Sequence, residues 1–444
     1  MQAPEHHNWI AGRWTESSGG IAFATLSHLP PYDELGRWPR SNERDVEEAL
    51  EACARAAPAW QDLGRSERGR ILERVPGELE RQELLPSLAA ALGLMSEELE
   101  ARFQRDLFEL REALELVRDG ARERGVGLFQ ANWSDLAGAL GGRLAARLAS
   151  GQTAVLVSDP HLPQAAQAVA LALEASGLPP GVVCLLHDDG ETAVRSALAC
   201  PGLAWARLRG AEPKLKRLHD VAPLPNALAW SLWPVVNRTH LVPAGADPAA
   251  QAALVVEQAF GRSATLSGQF PGHIGRVLCH QRLFSRFSEE LLTRLEDSPD
   301  ASAPVPAIEA ELFEHVRSAW ALGLDEGATP IHGGEPWRAP RVGVPRESEG
   351  PAPAARAPRA IPPAVFTNVE IHQRFARLHR PAPILALLRS PSDEAARELV
   401  LELDGPRPLA TWGSDARLPI QDARGQPDPS RPEREVPRSP GATP

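Results

Sequence analysis

Between Thr153 and Leu208 the chain alternates short apolar, β-branched runs with Ala-rich segments, and no other feature constrains the fold as strongly. Thr153–Val157, Val182–Leu186 and Leu203–Leu208 read as strands. Pro163–Ser176 and Glu191–Ala199 read as the helices between them, with Pro163 opening the first and Gly177 standing just past its end. Strand, helix, strand, helix, strand at this spacing predicts a parallel sheet with right-handed crossovers, a Rossmann-type core. Ligands of such sheets bind beyond the carboxyl ends of the strands, so the residues just after each strand are the first to weigh for function.

The flanking sequence supplies further elements. Asn8–Thr15 reads as a short hairpin turning at Gly12. Asn42 and Asp45 are start signals for a helix carrying Val46, Ala49, Leu50, Cys53, Ala57 and Trp60. A second helix follows Ser66, with Ile71, Leu72, Val75 and Leu79 on one face and a kink expected at Pro76. A third follows Ser96, with a stripe from Leu99 through Phe103, Leu107, Leu110 and Leu114 to Val117. From Pro248 to about Glu296, two helices flank a strand at Arg276–Cys279, and residues 383–388 and 408–412 are candidates for two more strands. Residues 335–363, rich in Pro, Ala and Arg without periodicity, predict an inserted flexible loop, and 419–444 a disordered tail. The expectation is an α/β chain of two domains, a Rossmann-like one over 1–245 and a second α/β domain over 246–418.

Charge and cysteine usage narrow the functional classes. The net charge of −11, from 47 basic and 58 acidic residues, argues against nucleic acid or anionic lipid as a partner. No basic leader precedes an apolar run, and no apolar stretch approaches the ~18 residues of a membrane span, so a soluble cytoplasmic protein is expected. Cys53, Cys184, Cys200 and Cys279 are scattered without a CxxC pair and read as reduced core thiols. Cys184 and His187 have a ligand-like spacing but no second pair, so no metal site is expected. His6–His7 read as solvated. His372 and His379 lie seven apart on a possible helix with no carboxylate between them, and read as core or surface.

Five segments in order resemble the NAD(P)-dependent aldehyde dehydrogenase superfamily. Asn8–Trp14 is similar to its INGEW opening, and Asp45–Trp60 with Arg65–Leu72 to its first two helices. Gly177-Leu178-Pro179-Pro180-Gly181-Val182-Val183 resembles its GLPPGVVN turn, the most specific of the matches. Gly268-Gln269 with Arg276 resembles GQxCxAxxR, and Pro362–Val369 resembles PTVFTDV. The resemblance spans roughly residues 8–415 and implies a Rossmann-type domain beside a catalytic-type α/β domain.

It also implies a chemistry whose parts can be sought by position. In the family a cysteine thiolate attacks the aldehyde, a backbone amide and an Asn hold the oxyanion, and hydride passes to a nicotinamide. A Glu then activates water. Here the nucleophile position is Pro271, which has neither a nucleophile nor a backbone N–H. The oxyanion Asn is replaced by Ser134, after Asn132-Trp133. The general base falls at Trp233, in a stretch with no carboxylate between Asp220 and Asp247. The ribose-contacting Lys-Pro-Ser-Glu reads Val157-Ser158-Asp159-Pro160, and EIFGPV reads Arg377-Leu378-His379-Arg380-Pro381-Ala382.

At the pyrophosphate turn Gly210 survives, and Leu215 stands for the second glycine, where it is expected to crowd a phosphate. Arg209 and Gly210 are the remaining candidates for a cofactor contact; otherwise Arg209 reads as a solvated surface residue. The span from Val117 to Trp133 is too short for the family's bridging hairpin, and the family chain runs several dozen residues past Pro408–Trp412. A C-terminally truncated member without the bridging segments is expected, and with it no family-type homodimer. The expected function is that of a catalytically inactive relative acting as a binding or accessory subunit, partnered by an active paralogue or another protein, with no cofactor. The alternative is an NAD- or NADP-dependent oxidoreductase acting on an aldehyde through non-standard residues.

Overall fold

The computed structural model describes residues 3–116, 125–210, 212–221, 229–234, 237–262, 266–333, 360–378 and 382–404. Two antiparallel hairpins come first: β1 (Asn8–Ile10) with β2 (Arg13–Thr15), then β3 (Ala22–Leu26) with β4 (Glu34–Pro39). Helix α1 (Glu43–Asp62) starts at a reciprocal cap. The Asn42 side chain accepts from the Arg44 and Asp45 amides, and the Asp45 carboxylate accepts from the Asn42 amide at 3.0 Å. Asp45 also accepts from the Ser17 hydroxyl (2.5 Å) and the Ser18 amide (2.9 Å), which ties the segment after β2 to the helix.

Helices α2 (Arg65–Leu72), α3 (Val75–Glu80), α4 (Leu85–Leu92) and α5 (Ser96–Leu116) follow. Pro76 does not kink a helix. It lies in the first turn of α3, where a missing N–H costs no helix bond. Along α5, Leu99, Phe103, Leu107, Leu110 and Leu114 are buried at three- and four-residue spacing.

The next elements are β5 (Val126–Gln130), α6 (Ala137–Ala149), β6 (Thr153–Val157), α7 (Pro163–Ala175), β7 (Val183–Leu186) and α8 (Thr192–Ala199). Strand β8 (Leu203–Gly210), α9 (Glu212–His219) and β9 (Ala229–Pro234) complete the unit. One sheet results, ordered β2-β1-β7-β6-β5-β8-β9, in which every pairing from β7 to β9 is parallel. All residues of β5, β6 and β7 are buried, as a parallel sheet covered on both faces requires. The chain steps outward from β5 to β7 and then returns to place β8 on the other side of β5. Doubly wound sheets take their ligands in the crevice at such a reversal.

Two glycines explain local packing. A Cβ on Gly127 would lie 1.8 Å from the indole of Trp205, its registered neighbour on β8, so the glycine makes room for that ring. Gly181 has φ +84°, and a Cβ there would meet the Ala52 carbonyl of α1 at 2.8 Å. The Gly-Leu-Pro-Pro-Gly turn is thus a packing device that seats β7 against α1.

A second sheet is built from β10 (Arg238–Val242), β11 (Ile274–His280), β13 (Thr329–His332), β15 (Ala364–Thr367) and β16 (Ile384–Ser390). Its order is β10-β11-β16-β15-β13, with only the β13–β15 pairing antiparallel. Its helices include α10 (Pro248–Phe260), α11 (Phe284–Glu296), α12 (Ala310–Asp325) and α13 (Asp393–Asp404). Strand β10 belongs to this sheet although it precedes residue 245. A two-stranded ribbon pairs β12 (Val305–Pro306) with β14 (Ala360–Ile361).

The α/β class and the parallel Rossmann-type sheet agree with the sequence reading, and several details differ from it. The central strand β5 was not anticipated, nor were α4 and α12. Ala360–Ile361, assigned by sequence to the flexible insertion, form β14. His372 lies in a run of turns instead of a helix. Residues 335–359 of the insertion, His379 to Pro381, residues 408–412 and the tail lie outside the described residues, as do residues 117–124, where the bridging hairpin was sought. Among the described residues, no helix is long and apolar enough to cross a membrane.

Candidate active-site cleft

The segment expected to carry the nucleophile is the turn from Leu266 to Gly272. Leu266, Ser267, Gly268 and Gly272 all have positive φ, and a Cβ on Gly268 would meet the carbonyl oxygens of Ala259 and Ala382, both at 2.9 Å. Gln269 anchors the turn from below. Its Nε2 donates to the Pro306 carbonyl at 2.9 Å, and its Oε1 accepts from the Ile308 amide at 3.1 Å. Phe270 is 1% exposed, so the turn directs an aromatic ring inward, while Pro271 is half-buried.

Phe270 meets the other half of the site directly. Its ring lies 5.6 Å from that of Trp133, and the Arg102 guanidinium of α5 stacks 3.8 Å from its centre. Leu266, Phe270 and Ile308 belong to the same apolar cluster as Trp133, Leu136 and Phe103. The Trp133 indole N–H donates to Glu309 at 2.5 Å, and burial raises the Glu309 carboxyl above its usual range. Ser134, expected at the oxyanion position, is 3% exposed and turned back on its own loop. Its hydroxyl donates to Asn132 Oδ1 at 2.5 Å and its amide to the same oxygen at 3.1 Å.

Beneath this contact is a buried ionic group that the sequence reading missed. Asp135 is 1% exposed, and its Oδ1 pairs with both Arg143 and Arg209. Burial alone would raise the Asp135 carboxyl, but Arg143, Arg209 and Arg207 outweigh it and hold the pKa at about 2. Burial lowers Arg209 to about 10 and drives Arg207, which stacks over Phe129 at 4.7 Å, well below its ordinary value. Asp106 on α5 is pushed up to about 6 by burial, against the opposing pull of Arg102. The visible signal was Arg207 and Arg209, two residues apart in an otherwise apolar strand and so on one face of it.

The residues expected to contact a cofactor are engaged within the chain or packed inward. Arg209 is not a solvated surface arginine; its side chain is 11% exposed and committed to Asp135. Gly210 ends β8, and its open side faces Lys214. Leu215 is 3% exposed and packs inward with Val157 and Leu208, so it does not crowd a phosphate as the sequence suggested. Asp159 accepts from the His161 amide (2.9 Å) and ring Nδ1 (3.0 Å). That bond, against burial, lowers the Asp159 carboxyl and raises His161. Trp233 sits on β9 in register with Arg209. Arg377 is exposed and pairs with Glu402.

Cys53, Cys184, Cys279 and His187 are withdrawn into the core. Cys279 is buried in β11 and its thiol is pushed up to about 12 by burial. Cys184 is core, and His187 is fully buried, bonded to Ser158 at 2.9 Å and lowered to about 3 by burial.

The aldehyde dehydrogenase family model matches residues 14–400 of this chain. The chain belongs to that family. Alpha-ketoglutarate semialdehyde dehydrogenase of Haloferax volcanii is 26% identical over 409 residues, 86% of this chain and 80% of that protein. A 1-pyrroline-5-carboxylate dehydrogenase of Bacillus pumilus is 23% identical over 395 residues, 82% and 72% of the two chains. Among solved structures, an NAD-dependent aldehyde dehydrogenase from Sinorhizobium meliloti has a TM-score of 0.76 at 19% identity, covering 90% of this chain and 80% of its own. A Staphylococcus aureus betaine aldehyde dehydrogenase in complex with NAD+ has a TM-score of 0.76 at 17% identity, covering 89% and 80%. At these identities the structural likeness establishes the aldehyde dehydrogenase fold.

Proposed function

We propose that this aldehyde dehydrogenase family member does not oxidise aldehydes and acts instead as a binding or accessory subunit. The observation that carries this reading is the joining of the two reactive segments. Phe270 packs on Trp133 and Arg102, Ser134 is spent on Asn132, and Pro271 offers no thiol where the thiohemiacetal would form. A nearby thiol does not substitute, because Cys279 is buried with its pKa raised to about 12 and so holds its proton at neutral pH.

The side chains at the nucleotide positions do not fit a dinucleotide. The cation at the end of β8 is neutralised by Asp135, and a carboxylate, Asp159, stands where a sugar would be gripped. We therefore assign no step to NAD or NADP. A partner, an active family member or another protein, would supply any turnover, and reduced core thiols favour a cytoplasmic setting. A second reading, an NAD(P)-linked oxidoreductase with non-standard residues, draws on the likeness to the Haloferax semialdehyde dehydrogenase over 86% of this chain.

The test is an assay of the purified chain with aliphatic, aromatic and semialdehyde substrates and both nicotinamide cofactors, read at the absorbance of the reduced cofactor. Our reading expects no reduction above the enzyme-free rate. Turnover that survives repurification and disappears in a Trp133→Ala variant would establish the second reading.

A further inference from the structure

Segments that follow three neighbouring strands of the first sheet meet one carboxylate from the other half of the fold. Asp159 and His161 follow β6, Trp133 follows β5, and Lys214 stands on α9 after β8, while Glu309 precedes α12. Glu309 occupies the N-cap position of α12 but makes no side-chain cap bond there. Its carboxylate accepts instead from the Trp133 indole N–H at 2.5 Å. His161, Asp159 and Lys214 face the same carboxylate.

The group is open to solvent protons. The His161 side chain is 33% exposed and Glu309 is half-buried. Asp159 fixes the ring by accepting from Nδ1 at 3.0 Å and from the His161 amide at 2.9 Å. Glu309 and Lys214 also face His161, and His28 approaches it from the segment after β3. A ring that can carry a proton thus stands between two carboxylates, one from each half of the fold.

Burial alone would lower His161, but the bond and charge of Asp159 and the charge of Glu309 outweigh it, against Lys214, and raise the ring above its ordinary value. Burial raises the Glu309 carboxyl, so it too holds a proton more readily in the joined fold. Burial lowers His28 to about 4, which leaves it neutral near pH 7, and Asp159 is lowered and stays charged there.

We propose that His161 and Glu309 form a proton-linked joint between the two halves of the fold, tighter while the His161 ring is protonated and looser once it is neutral. A group raised by the joined state contributes fully below its ordinary value, near ~6.5 for histidine, and its contribution is lost as pH rises through the raised value. The packing of Phe270 on Trp133 does not titrate, so the proton adjusts the joint on an apolar base. The inference concerns this joint and not turnover in the cleft, so it and the proposed function can fail separately.

The experiment is hydrogen exchange read by mass spectrometry on the full chain, wild type against His161→Gln. The two are compared at one pH at a time, so that intrinsic exchange rates cancel. The reporter is a peptide spanning Glu309, which lies in the other half of the fold from the substitution. At about pH 6.5 it should exchange about two- to fivefold more slowly in wild type, the size of effect a partly exposed charge pair supplies. The gap should shrink by about pH 9. No gap at the lower pH, or one that is the same at both, overturns the proposal. Glu309→Gln gives the reciprocal reading, because linkage runs both ways. There a peptide carrying Asp159 and His161 should lose more protection at the lower pH than at the higher. If His161→Gln does not fold, this second variant decides, and an equal loss at both pH values overturns the proposal.

Discussion

Asp135 and Arg209 form a buried ion pair across the reversal of the parallel sheet, joining the loop after β5 to the end of β8. Both side chains are largely withdrawn from water, so the pair is unscreened and the loss of either partner leaves a charge stranded. Asp135→Asn in chloride buffer should therefore lower unfolding stability by about 3–5 kcal/mol. Urea denaturation checks this, and a loss below about 1 kcal/mol would contradict the buried pairing.

The two carboxylates of the same group should give opposite pH dependences. Asp135 is held at about 2 in the fold, below an unfolded value near ~3.9, so its contribution is complete above about pH 4 and is lost as pH falls toward 2. Asp106 is raised to about 6, so the folded chain binds the extra proton between about pH 4 and 6, and stability declines as pH rises through that window. His6, His28, His187 and His273, held neutral by burial at about 3 to 4, make the fold more stable as pH rises over the same window, so the Asp106 contribution is read as a difference between variants. Wild type should lose stability relative to Asp106→Asn as pH rises from 4 to 6, and a constant difference between the two would refute the assignment.

Phe270 joins the two reactive segments, with Trp133 on one side and Arg102 on the other. Truncation to Ala leaves a cavity in the cluster that Leu266, Phe270 and Ile308 share with the helices of the first sheet and should cost about 3–5 kcal/mol. Calorimetric melting measures it; a variant as stable as wild type would show that the segments are not packed together.

Restoring residues singly should not restore chemistry. On the proposed reading, Pro271→Cys with Ser134→Asn would return the nucleophile and the oxyanion donor, and Pro271→Cys alone the nucleophile, but either leaves Asp159 and the Asp135–Arg209 pair in place. Both variants should reduce no cofactor above the enzyme-free rate. Measurable turnover in either would mean that the cleft still accepts a dinucleotide.

Thiol labelling tests the packing of the cysteines. Cys53, Cys184 and Cys279 are buried and Cys200 is half-exposed. Iodoacetamide on the native chain should modify Cys200 first, with Cys279 reacting only after unfolding. Early labelling of Cys279 would put a reactive thiol near the cleft after all.

Much of this architecture was legible in the sequence, for identifiable reasons. Strands β6, β7 and β8 announced themselves because each is continuous and apolar and is followed by a turn signal. Strand β5 did not, because Gly127 weakens its pattern and the side chain that fills the gap, Trp205, is contributed by a distant strand. From motif order alone, Pro271, Ser134 and Trp233 could be suggested as candidates. Asp135 could not, since its significance depends on Arg143, Arg207 and Arg209 converging from two elements, and nothing local marks a charge destined for burial. Leu215, expected to crowd a phosphate, packs into the core instead, because periodicity gives a residue's position and not the face its side chain takes.

The measurement that bears most directly on the central claim is calorimetric titration of the purified chain with NAD and with NADP. On the proposed reading, in which Asp135 neutralises Arg209 and Asp159 stands at the sugar position, the titration should give no saturable heat up to millimolar cofactor. A saturable isotherm for either nucleotide, lost when Arg209 or Lys214 is replaced, would contradict the account and return this family member to the oxidoreductases.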